Sequence, residues 1–172
     1  MNKVLVITGF EYSGWDRVAQ FLSEGGNAQA LLANDVTSFN KGLSIELMRS
    51  DVSISKAKEH LTQLLADKTL GWADSASTNL LPFWTSINQA CQFLLVYSSP
   101  ESAFAKAMKA YQGDQNRVDD VMAKWEASSR TALNFFQKNR SRSLLVNVSA
   151  VDEVADALAA TCSELMGRNI PT

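Results

Sequence analysis

Three runs of this chain are apolar at nearly every position, and the stretches between them are apolar only at helical spacing. Lys3 to Thr8, Gln92 to Tyr97 and Ser143 to Val148 consist mainly of valine, leucine, isoleucine and phenylalanine. A strand covered on both faces reads this way, whereas a strand with one wet face alternates. Leu70 to Asp74 is a shorter candidate, placed by its position between helices. Gln29 to Ala33 forms either another short strand or a helix extension.

Helical patterns fill the gaps. Trp15 to Ser23 sets Trp15, Val18, Ala19 and Leu22 on one face, with Gly25-Gly26 as a stop. Ser55 to Ala66 repeats the pattern through Ala57, Leu61, Leu64 and Leu65. Ser99-Pro100-Glu101 combines a capping hydroxyl, a proline at the first helical position and an acid in the first turn. The helix it opens should run to about Tyr111. Asn116 to Lys138 is a long amphipathic segment with Val118, Met122, Trp125, Leu133 and Phe136 among its apolar positions. Ser149 to Asp152 should cap a last helix over Val151 to Met166. Asn34 to Ser50 has no clear period and reads as irregular surface.

Wholly apolar strands alternating with amphipathic helices predict parallel strands joined by right-handed crossovers. The expected architecture is a single α/β domain over residues 1–172, a three-layer sandwich around a mainly parallel sheet. At 172 residues and 46% apolar content, the chain is long enough for one substantial core. With 16 basic against 18 acidic residues and no long run of either sign, it offers no counterion-release surface, so no nucleic-acid partner is expected. No stretch approaches the roughly 20 apolar residues that span a bilayer, and no secretory leader is recognised. Cys91 and Cys162 lie far apart without a companion histidine, so reduced core thiols are expected rather than a disulfide or metal site. These features together read as a soluble cytoplasmic domain.

In open α/β sheets ligands bind beyond the carboxyl ends of the strands. The first such end carries Gly9-Phe10-Glu11-Tyr12-Ser13-Gly14-Trp15-Asp16. Its glycines have the G-x-x-x-x-G spacing of a phosphate loop, but Trp15 and Asp16 stand where Lys and Ser or Thr hold phosphate and magnesium. Backbone amides from Phe10 to Trp15 and the following helix N-terminus could face an anion. Gly9 and Gly14 could equally do no more than permit a tight strand-to-helix turn. At the second end, Asp74 is a candidate base, metal ligand or helix cap, and capping is the commonest role for Asp before Ser and Thr. Pro82, Phe83 and Trp84 read as packing residues. The third end, Tyr97-Ser98-Ser99-Pro100, has hydroxyls but no base. His60, the chain's only histidine, lies mid-helix, so a Ser-His-Asp triad is not supported.

Three segments together resemble the sulfotransferase family of the phosphate-loop superfamily. Ile7 to Asp16 is similar to that family's 5′-phosphosulfate loop. Trp72-Ala73-Asp74 followed by Leu80-Leu81-Pro82-Phe83-Trp84 resembles a W-K-D-P-R … L-L-P-x-W segment. Phe93 to Ala103 resembles the F-V-L-V-x-R-D-P-R-E-V strand and helix start. The resemblance implies transfer of a sulfuryl group from 3′-phosphoadenosine 5′-phosphosulfate to a hydroxyl of a small-molecule or saccharide acceptor, without a metal. It places Gly9, Tyr12, Ser13, Gly14, Trp15, Ser98 and Lys106 at the cofactor, with Asp74 or Glu11 as base. Position by position the family's cations are missing. The loop's basic residue falls on Tyr12, the 3′-phosphate arginine on Ser98, and the Lys and Arg beside Asp74 on Ala73 and Ala76. The alternative is a non-catalytic binding or interaction domain that keeps the fold. In that case Trp125, Phe135 and Phe136 of the long helix form either core, the more frequent use, or a face for a partner or a homodimer.

Overall fold

The computed structural model describes residues 3–24, 59 and 71–167. Among them the apolar runs form four parallel strands: β1 (Val4–Gly9), β2 (Gly71–Asp74), β3 (Cys91–Tyr97) and β4 (Ser143–Asn147), in the order β2-β1-β3-β4. The amphipathic segments form α1 (Trp15–Glu24), α2 (Ser77–Ile87), α3 (Pro100–Ala110), α4 (Gln115–Lys138) and α5 (Ala155–Met166). No helix among the described residues is long and apolar enough to cross a membrane.

The alternation of side chains along each strand explains why the runs are apolar throughout. Leu5 and Ile7 of β1 join Leu94 and Val96 of β3 on one face, under Val18, Ala19 and Leu22 of α1 and Leu158, Cys162 and Met166 of α5. Val4 and Val6 join Phe93 and Leu95 on the other, under Leu80, Leu81 and Trp84 of α2 and Ala132 and Phe135 of α4. Helices therefore cover both faces of an all-parallel α/β sheet. Trp72 meets Trp84 edge to face with centroids 5.0 Å apart, and Phe93 meets Phe135 at 4.9 Å. A third, smaller cluster joins Ala107 of α3 to Val118 and Val121 of α4, and Phe10, Tyr12 and Tyr111 pack against it.

The amino end of the sheet is held by Arg142. Its guanidinium donates to the Cys91 carbonyl at 3.1 and 2.7 Å and to the Asn88 carbonyl at 3.1 Å, and lies over the Phe93 ring. Lys3 Nζ donates to the Leu165 carbonyl at 2.6 Å, where the α5 dipole favours a cation.

The α3 start matches its sequence signal: the Ser99 hydroxyl accepts from Ser102 N at 3.3 Å. Two elements differ from expectation. Helix α2 was not legible as a helix, since Ser, Thr and Asn open it and Pro82 lies inside it. The last helix begins at Ala155 rather than Val151. The Asn147 side chain accepts from Ser149 N and first stabilises a 3₁₀ turn over Val148–Ala150, and no side chain among the described residues caps α5. On α4, Phe135 is buried and Phe136 packs against the core, whereas Leu133 stays 45% exposed. The expectations for Gly25-Gly26, Gln29 to Ala33, Asn34 to Ser50, His60 and the bulk of Ser55 to Ala66 lie outside the described residues.

Candidate functional site

In the order β2-β1-β3-β4 the chain steps from β1 to one side, then crosses back to the other, so the loops after β1 and β3 diverge at a topological switch point. The first of these loops is built by its glycines. A side chain on Gly9 would overlap the Val96 carbonyl and the Ser13 hydroxyl, so only glycine lets β1 leave the sheet here. Ser13 N donates to the Phe10 carbonyl at 2.8 Å and closes a four-residue turn. Gly14 then takes φ +83°, a left-handed conformation that favours glycine. A Cβ on it would also lie 2.7 Å from Val148 Cγ2. Helix α1 follows, with Asp16 in its first turn and Arg17 paired to Asp152.

The side chains of this loop point in three directions. Ser13 is buried over Gly9, inside the turn, and its hydroxyl has no hydrogen-bond partner among the described residues. Half-buried Trp15 packs against the α1–α5 face of the core. Tyr12 turns towards α3 and α4, edge-on to Phe10, and its hydroxyl pairs with Tyr111. That hydrogen bond, followed by partial burial and the Glu11 charge, pushes the Tyr12 phenol up to about 12. Arg117 in turn stacks 4.2 Å from the centroid of Tyr111. The crevice between the loops after β1 and β3 is bridged through the Tyr12 carbonyl. It accepts from Lys106 Nζ at 3.1 Å and more weakly from the Ser98 hydroxyl at 3.5 Å.

A cleft of about 400 Å³ opens on the other side of the loop, towards β2. Phe10 and Glu11 form one wall, Ser75, Thr78 and Asn79 a second, and Lys124, Ser128 and Thr131 of α4 the third. Beneath it the buried hydroxyls of Thr8 and Thr78 share a hydrogen bond of 2.9 Å, tying the end of β1 to the start of α2. Asp74 is fully buried, and its Oδ1 accepts from Ser77 N at 2.6 Å. Trp72 Nε1 donates to the Ser77 hydroxyl at 3.0 Å. Asp74 thus organises the turn into α2, two residues ahead of the N-cap position held by Ala76.

Of the residues expected at a site, Gly9, Tyr12, Ser13, Gly14, Ser98 and Lys106 gather around one loop. Trp15 faces the core, Asp74 is engaged in the β2–α2 turn, and Glu11 alone of them lines the cleft. Lys124, Ser128 and Thr131 escaped sequence reasoning, although spacings of four and three place them on one helical face. Among the described residues no group of His, Cys, Asp and Glu could hold a metal ion.

No protein-family model matches the chain, and no curated protein sequence matches it.

Proposed function

We propose that this chain is a sulfotransferase-like domain that binds a hydroxylated small molecule in the cleft between the loop after β1, the start of α2 and α4, without transferring a sulfuryl group. One observation carries this reading: Ser98 and Lys106, the polar side chains that would meet an anionic donor from the β3 side, are turned to the loop's own backbone, and no cation stands in the loop. Ser98 and Lys106 donate to the Tyr12 carbonyl, Tyr12 pairs with Tyr111, and Ser13 is buried within the turn. The multiply charged 3′-phosphoadenosine 5′-phosphosulfate does not fit such a set, because Tyr12 and Ser98 supply no charge where charge-assisted hydrogen bonds are needed. The cleft instead offers hydroxyls, an amide and one charge of each sign, beside the Phe10 ring. Those are the groups that recognise neutral polar ligands.

A transferase reading keeps one supporting observation. Glu11 lines the cleft and is exposed, so it is the base available to an acceptor hydroxyl, whereas Asp74 is committed to Ser77.

Calorimetric titration with 3′-phosphoadenosine 5′-phosphate separates the two readings. Absence of binding at millimolar nucleotide is the expected result. Tight binding that Gly14→Asp abolishes would overturn the proposal and restore the transferase.

A further inference from the structure

β4 is an edge strand among the described residues, with β3 on one side of it and no partner on the other. Natural edges are blunted by charge, proline or bulges, because an unpaired row of amides and carbonyls invites another strand. Ser143-Leu144-Leu145-Val146-Asn147 has none of these devices. Leu144 and Leu145, on opposite faces of the strand, remain half-buried. Beside them an apolar groove of about 250 Å³ runs along α5, lined by Val154, Ala157, Leu158 and Thr161. Val154 is 43% exposed, and Ala157 and Thr161 are exposed with it.

The charge around this edge is polarised along the strand. Basic residues Lys138, Arg140 and Arg142 precede it, and acidic residues Asp152, Glu153 and Asp156 follow it. Helix dipoles account for Lys138, in the last turn of α4, and Asp156, in the first turn of α5. Arg142 and Asp152 have partners within the chain. Arg140 lies over the Phe136 ring at 5.9 Å and Glu153 is exposed; both lie outside the two helices, and neither has a charged partner among the described residues.

We infer that this edge pairs antiparallel with β4 of a second copy of the chain, across a two-fold axis that lies between the two strands and perpendicular to the sheet. A two-fold operator makes the patch its own partner. It sets the basic end of each strand against the acidic end of the other, so Arg140 and Glu153 meet twice. A parallel arrangement would set like charges together at both ends. The two sheets become one, the edge amides gain partners, and the exposed α5 stripe is covered by its copy.

Sedimentation velocity on the full chain tests this. The wild type is expected to dimerise, and Ala157→Arg to be monomeric with unchanged circular dichroism. Val154→Lys is the second variant should Ala157→Arg disturb folding. Arg140→Glu and Glu153→Arg should each weaken the dimer about tenfold, since each reversal sets two like-charged contacts at the rim, and the double swap should restore it. A wild type that stays monomeric at concentrations on the order of 100 μM overturns the proposal. A dimer indifferent to both α5 variants does the same, as do charge swaps without effect or without rescue.

Discussion

The hydrogen bond between Thr8 and Thr78 gives the sharpest test of how the cleft floor is built. Both residues are fully buried, and each hydroxyl has replaced water with the other. Thr8→Val keeps the shape and the β-branched preference of a strand, but leaves the Thr78 hydroxyl facing a methyl group. Stranding a buried polar group costs about 1–3 kcal/mol, whereas replacing both partners with apolar isosteres is close to neutral. Thr78→Val strands the Thr8 hydroxyl in the same way. Additive effects would sum to about 2–6 kcal/mol, while the pairwise account gives the double variant a loss of at most about 1 kcal/mol. Urea unfolding of the wild type, both single variants and the double variant measures the cycle. The fluorescence of buried Trp72 and Trp84 serves as the reporter. Strictly additive losses would refute the reasoning, because the two hydroxyls would then be satisfied by other groups.

Two further perturbations probe the loop and the core. Gly14→Ala combines a left-handed φ with a contact to Val148, and should destabilise the fold by about 1–3 kcal/mol by the same urea assay; a neutral result would mean the turn relaxes freely. Cys91 and Cys162 are buried thiols whose pKa values burial raises from 9.0 to about 12. A folded pKa above the unfolded one stabilises the protein below about pH 9, and that contribution is lost as pH rises towards 12. Each thiol should therefore lower stability by up to about 1.4 kcal/mol per pH unit within that window. Cys162→Ala should flatten the alkaline slope by one thiol's share, and an unchanged slope would contradict the assignment.

The sequence was most legible where one physical demand ruled a segment. β1 and β3 are covered on both faces and β4 partly so on each, so burial wrote largely apolar runs, and each strand was found within a residue at either end. The start of α3 was equally clear, because Ser99, Pro100 and Glu101 have one shared use. Glu101 bears this out: its own backbone amide, then the Ser99 hydroxyl, holds its carboxyl below the usual range. Helix α2 was hidden because a buried turn preceded it. Ser77, Thr78 and Asn79 look like loop, yet Ser77 closes a local turn with Trp72 and the Asp74 carboxylate, and Thr78 reaches Thr8 across the fold. Neither a side-chain turn nor a pairing across the sheet leaves a helical period. The cleft was half legible for the same reason. Phe10 and Glu11 belong to an obvious strand end, but Lys124 and Ser128 reach it only through the packing of α4 on the sheet. Nor does spacing reveal that Lys106 would turn to a carbonyl rather than to solvent.

The ties from Ser98 and Lys106 end on the carbonyl of residue 12, not on its side chain. Every amino acid carries that carbonyl, so these two ties do not depend on which residue stands at position 12. A lineage could discharge the loop by exchanging a single side chain and lose none of its backbone ties. By the same logic an engineer could place an arginine there and meet a turn already formed.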